Sequence, residues 1–255
     1  MTTPTPEPDR TGWLDWDDYL TALRLDAARL AEVARMGVDR PVPSCPGWTV
    51  ADLVQHTAAV YLHKVETMRL GDLPQDWPPA GLDERDPREL YGEATSALVD
   101  ELTARDPSEV RGTWWPDDQT VGFWYRRMAL ETAVHRVDAE LAHDVVTPID
   151  EKLAVDGIDE VLRIMLGAPW AAAGHTGSSV AERVRVSSGG RSWTVTLDAA
   201  VRVVEGDSDE VAVEVSGAPD DVYLYLWGRR DDSGLAVTGD SEVAVAFRSR
   251  LAEVT

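Results

Sequence analysis

Glu131 and His135 stand four residues apart in a stretch of helical spacing, so at about 100° per residue their side chains lie about 40° apart on one face. Both could therefore reach one ion. Phe123, Leu130, Val134, Val137 and Leu141 form an adjacent aliphatic stripe, which sets the carboxylate and the imidazole beside a core. Burying either group alone costs on the order of several kcal/mol, and shared coordination of a metal would satisfy both. His56 is the candidate third ligand, at the edge of a second stripe made by Val50, Leu53, Val54, Thr57, Val60 and Tyr61. Two imidazoles and a carboxylate suit a divalent ion, zinc first, that keeps an open position for water or substrate. The protease pattern of two histidines at i, i+4 with a separate glutamate is absent, as is the paired Glu-x-x-His pattern of di-iron bundles. Arg127, four residues before Glu131, supplies a rival reading, a plain helix ion pair, and spacing alone leaves both open.

Other groups carry weaker chemistry. Cys45, the single cysteine, could be a nucleophile or fourth ligand; its place before Pro46-Gly47-Trp48 and the expected helix cap Thr49 favours a small packed residue at a turn. Asp138 could orient His135 or pair with an arginine. His63 shares the face of His56 and reads first as a structural histidine, while His143 and His175 fall at a helix end and in a connecting segment. Trp114, Trp115 and Trp124 could stack on a sugar, although aromatic packing is the simpler expectation.

The formal net charge of −22 argues against nucleic acid and anionic membrane as partners, since neither offers the positive charge this surface would need. No apolar run approaches the roughly 18 residues that span a bilayer, and Met1 to Arg10 lacks the features of a signal peptide, so a cytoplasmic protein is expected. One cysteine excludes an intramolecular disulfide and any zinc site built from several thiolates.

Helical spacing over about Trp13 to Met36, Thr49 to Leu70, Pro87 to Arg105 and Thr120 to His143, with a shorter stretch from Asp150 to Leu166, predicts a bundle. Beyond Gly167 the period becomes two. Val180 to Val186 and Trp193 to Leu197 flank Gly189-Gly190, a hairpin signature, and Val201 to Val204, Val211 to Val215 and Leu235 to Thr238 add strand candidates. Asp220 to Trp227 and Glu242 to Leu251 read as helices. The expected organisation is a helical bundle over 1–167, a linker over 168–179 and a small α+β domain over 180–255.

Two blocks add a resemblance. The run Pro43-Ser44-Cys45-Pro46-Gly47-Trp48-Thr49-Val50-Ala51-Asp52-Leu53-Val54-Gln55-His56 and the segment from Arg126 to Glu140 resemble the metal-binding segments of mycothiol-dependent maleylpyruvate isomerase family proteins; Asp221 to Arg229 is similar to part of their C-terminal domain. The resemblance implies a DinB-like four-helix bundle followed by a sterol-carrier-like α+β domain. It implies zinc held by His56, Glu131 and His135, and a catalytic arginine at Arg229, with Arg230 one residue away. Leu130 departs from the pattern, where many relatives are expected to carry histidine. The chemistry implied is a transferase or isomerase that holds mycothiol as a thiolate for attack on a small electrophile. The alternative is a non-catalytic metal-containing protein whose C-terminal domain binds an apolar ligand.

Overall fold

A computed structural model describes residues 8–167, 182–206 and 210–255, and the contacts divide the chain into two units, Met1–Thr147 and Pro148–Thr255. The first unit is four long helices: α1 Trp16–Met36, α2 Val50–Leu70, α3 Pro87–Thr103 and α4 Val121–Leu141. Helix α1 packs chiefly on α4 and α2 on α3, with α2 also meeting α4.

Helix starts follow their sequence signals. Thr49 caps α2 with a reciprocal box, its hydroxyl accepting from the Asp52 amide while the Asp52 carboxylate accepts from the Thr49 amide at 2.8 Å. Asp86 caps α3 by accepting from the Arg88 and Glu89 amides. Before α2 the chain doubles back between Pro41 and Thr49, where the Val42 amide donates to the Trp48 carbonyl and the Val50 amide to the Arg40 carbonyl. That return places Ser44, Cys45 and Trp48 beside the bundle.

Helix α4 is buried on every side, only Glu131 and Leu141 being partly exposed, although it carries Arg126, Arg127, His135, Arg136, Asp138 and Glu140. Each of these charges must find a partner inside the fold. Arg126 lies 4.4 Å from the Trp13 ring centroid. At the far end, Glu140 accepts from Arg29 Nε at 2.7 Å, Arg136 Nη1 at 2.8 Å, the Thr147 amide at 2.9 Å and the Thr147 hydroxyl at 2.8 Å. Arg136 also reaches Asp26 at 3.1 Å and the Thr147 carbonyl at 2.6 Å. This network ties α1, α4 and the segment after α4 together through charges that neutralise one another.

The second unit opens with α5, Glu151–Glu160, continued by one wider π-type turn over Val161–Leu166. Then come β1 Glu182–Ser188, β2 Arg191–Leu197, β3 Arg202–Glu205, β4 Val213–Ser216, α6 Pro219–Leu226, β5 Ala236–Gly239 and α7 Ser241–Ala252. The sheet runs β3-β2-β1-β4-β5, with β1 and β4 parallel and every other pair antiparallel. Val184 faces Val195 and Val213, and Val186 faces Trp193 and Val215, so alternate residues bury one face. The expected hairpin forms at Gly189-Gly190, whose φ angles of 56° and 78° are those a tight two-residue turn needs.

The boundary differs from the sequence pattern, which keeps residues up to 167 with the bundle. Helix α5 packs on α6, and Asp159 on α5 accepts from the Trp193 indole at 2.9 Å. A Cβ at Gly189 would meet Val155 Cγ2 at 2.2 Å, so the hairpin turn lies directly on this helix. The apolar face of α5 thus completes the α+β unit, which helical spacing could not reveal. The linker expected at 168–179 and His175 lie outside the described residues. Among the described residues no helix is long and apolar enough to cross a membrane.

Candidate metal centre

All three predicted ligands meet. His56 comes from α2, Glu131 and His135 from α4, and their ligand atoms lie within 4.8 Å of one another. Glu131 Oε1 is 3.1 Å from His135 Nε2 and 3.8 Å from His56 Nε2. The two imidazoles stand edge to face, 5.2 Å between centroids, and Trp48 lies 4.9 Å from the His56 ring. His56 is the most open of the three, with 38% of its side chain exposed against 12% for Glu131 and 11% for His135. The site is thus embedded on the α4 side and reachable from the α2 side.

The rival ion pair is present too, and because a carboxylate has two oxygens it leaves one of them facing the histidines. Arg127 Nη2 donates to Glu131 Oε2, while Oε1 faces both histidines. Burial alone would raise the Glu131 carboxyl, but Arg127 and then His135 outweigh it and hold it well below the ordinary glutamate range. Burial likewise opposes a charged His135, yet the Glu131 and Asp138 carboxylates on its two nitrogens lift it to about 9. His135 Nε2 and Glu131 Oε1 face one another where an ion would bind, so uptake of an ion there would release a proton.

Behind the trio, Asp138 is fully buried and accepts from His135 Nδ1 at 3.0 Å, from the Ser44 hydroxyl at 2.5 Å and from the Cys45 thiol at 3.7 Å. A carboxylate on the far nitrogen fixes the ring so that Nε2 points at the ion position, the usual support of a metal-bound histidine. Asp138→Asn removes one acceptor oxygen and adds a donor facing three donors. It should weaken metal binding about 10- to 100-fold in a chelator competition, and an unchanged affinity would exclude this supporting role.

The remaining candidates are placed as follows. Cys45 is a turn residue whose thiol points at Asp138. Trp124 has no exposed surface, donates its indole N–H to the Gly112 carbonyl at 3.1 Å and packs edge-on with Phe123 and Trp114. His63 packs its ring 5.2 Å from Trp77, and Thr67 donates to its carbonyl at 2.8 Å. His143 Nε2 pairs with the Gly37 carbonyl at 3.0 Å. In the second unit Arg230 donates to Asp220 at 2.6 Å and also to Asp221, whereas Arg229 donates to the Trp227 carbonyl at 2.6 Å and lies 5.6 Å from the Trp227 ring. Ser44 as a partner of Asp138, and the contact between the Tyr61 and Thr132 hydroxyls that joins α2 to α4, carry no signal in the sequence. Lys64, on the same face of α2, is marked there only by the rarity of lysine in this chain.

A four-helix bundle bearing an embedded His-Glu-His trio, followed by a separate α+β unit, defines a class of two-domain proteins suited to divalent-metal chemistry. Family models agree on both parts. The one described as the Mycothiol maleylpyruvate isomerase N-terminal domain matches residues 20–140, and the MDMPI C-terminal domain matches residues 152–246. The chain belongs to the mycothiol maleylpyruvate isomerase family. The second match begins inside α5, in keeping with the place of that helix in the α+β unit. Among solved structures, a mycothiol-dependent maleylpyruvate isomerase aligns at TM-score 0.63 and 16% identity over 89% of this chain and 95% of its own. A histidine-to-alanine mutant of that enzyme aligns with the same values. No curated protein sequence matches.

Proposed function

We propose that this chain is a thiol-dependent enzyme, an isomerase or S-transferase that uses mycothiol on a small electrophile, with His56, Glu131 and His135 holding zinc or another divalent ion. The observation that carries the reading is the convergence of one Glu131 oxygen on two imidazole Nε2 atoms, with Asp138 behind His135. The donor set, two nitrogens and one carboxylate oxygen, fits a catalytic rather than a closed structural site. A divalent ion there supplies the positive charge that lowers the pKa of an added thiol and keeps it as thiolate at neutral pH.

The protein's own residues do the rest. Asp138 fixes the His135 ring, and Arg127 steadies Glu131 through its other oxygen. Cys45 is held toward Asp138, which favours a thiol brought from outside over one supplied by the chain. Of the two arginines after α6, Arg229 is the one the family resemblance assigns to neutralising charge on the substrate, and Arg230 is engaged by Asp220 and Asp221.

The test begins with metal analysis of the purified protein and continues with titration of a cobalt-substituted sample with mycothiol. A thiolate-to-cobalt absorption band is expected, and its absence would remove thiol activation and favour a non-catalytic binding protein. Arg229→Ala should keep its metal and lose about 100-fold or more in turnover, the size expected when a group that stabilises developing charge is removed.

A further inference from the structure

The chain has two lysines, Lys64 and Lys152. Lys152 is exposed in the first turn of α5, whereas Lys64 is half-buried on α2, eight residues beyond His56. Its ammonium sits 4.9 Å from the centroid of the buried Trp124 ring and 3.2 Å from His63 Nδ1. Among the described residues it makes no ion pair. Burial lowers it to about 8, with Glu131 pulling upward and Arg127 pushing downward, so it remains a cation at neutral pH. His63 is no counter-charge: burial, and then the neighbouring ammonium, lower it to about 4, and the ring is neutral.

Glu131 is the carboxylate that acts on Lys64, and both its oxygens are committed, Oε2 to Arg127 and Oε1 to the two histidines. Trp124, over which Lys64 lies, precedes Glu131 by seven residues, about two turns on the same face of α4, with Arg127 between them. The seam between α2 and α4 therefore runs from the trio past Arg127 to Lys64 over roughly 10 Å. A dication on the trio would add to the positive charge of this seam, where Glu131 is already shared and Lys64 holds no carboxylate of its own. A thiolate answers part of that charge. The half-buried ammonium at the far end has no carboxylate of its own and is placed to receive an anion.

We propose that Lys64, framed by Trp124 and His63, is a specificity-determining residue that receives a carboxylate of the electrophilic substrate at the end of the α2–α4 seam away from His56. The proposal rests on the metal reading of the trio. Its consequence is selection for small organic acids over their neutral esters, in a chain whose overall charge would otherwise repel them.

The test uses maleate as an anionic probe and dimethyl maleate as its neutral counterpart, titrated calorimetrically into zinc-loaded protein. Wild type should bind maleate and discriminate against the ester. Lys64→Met should bind maleate about tenfold or more weakly, the worth of one charge-assisted hydrogen bond, while Lys64→Arg stays within about threefold of wild type. Metal content and melting temperature should match across the three proteins, which separates recognition from folding. Equal maleate affinity in Lys64→Met, equal binding of acid and ester by wild type, or no maleate binding by wild type would each overturn the assignment. The Lys64 dependence should persist, at lower overall affinity, in chelator-treated protein. A missing cobalt–thiolate band beside intact Lys64-dependent binding would thus refute thiol activation and leave this residue's role standing.

Discussion

His135→Ala should leave the protein without retained metal and without turnover, and should lower its melting temperature even in the metal-free form. Each ligand of a protein zinc site is worth roughly 3 kcal/mol of binding free energy, so losing one weakens affinity by about two orders of magnitude or more. His56→Ala should lose metal to a similar degree. The two variants part company in stability. His135 is embedded between Glu131 and Asp138, and its removal takes the imidazolium away from two buried carboxylates, a loss of about 3–5 kcal/mol. His56 is more than a third exposed and touches Trp48, so its removal should barely move the melting temperature of the metal-free protein. Metal-to-protein ratios with thermal unfolding of chelator-treated samples check both halves. Full retention of metal by both variants would refute the ligand assignment.

Glu140→Ala should destabilise the bundle by about 3–5 kcal/mol, because it removes a fully buried counter-charge of Arg136 and unties Arg29 and Thr147. The same residue gives an acid limit. Burial alone would raise the Glu140 carboxyl, but hydrogen bonds from Arg29, the Thr147 amide and Arg136 outweigh it and hold it below the ordinary value of 4.5. A group whose folded pKa is depressed stabilises the fold above its unfolded pKa, and that contribution fades as pH falls through the folded one. Wild type should therefore lose stability steeply below about pH 4.5, and Glu140→Gln should show a lower but flatter profile there. Denaturant unfolding at several pH values reads both; parallel profiles for the two proteins would exclude Glu140 as a source of the acid sensitivity.

Much of this molecule is legible in its sequence. The four bundle helices, the Gly189-Gly190 hairpin and the closing helices begin or end within a few residues of their sequence signals, because caps such as Thr49 and Asp86 act locally. The trio is legible for the same reason in α4, where i, i+4 spacing dictates a shared face, and from a matching sequence block in α2. Spacing cannot say that Arg127 and the histidines take different oxygens of Glu131, since that depends on rotamers fixed by packing. Nor can it place α5, whose apolar face would suit either unit until the hairpin turn lies on Val155. Beyond the rarity of lysine, the sequence does not mark Lys64, because a lysine on a helix ordinarily points to solvent, whereas here the ammonium lies against Trp124 and His63.

The guanidinium on Glu131 Oε2 would also bear on how many oxygens the carboxylate offers an ion. With that oxygen engaged by Arg127, Glu131 would meet an incoming ion chiefly through Oε1, the oxygen that faces both histidines. Calcium takes six to eight oxygens and favours bidentate carboxylates, and magnesium holds to an octahedron of oxygen and water. A pair of imidazoles with a carboxylate engaged mainly through one oxygen would suit neither of these ions well. Arg127, itself no ligand, would thus help choose the ion and keep its outward face clear. Replacing it would change the selectivity of the centre rather than only its strength.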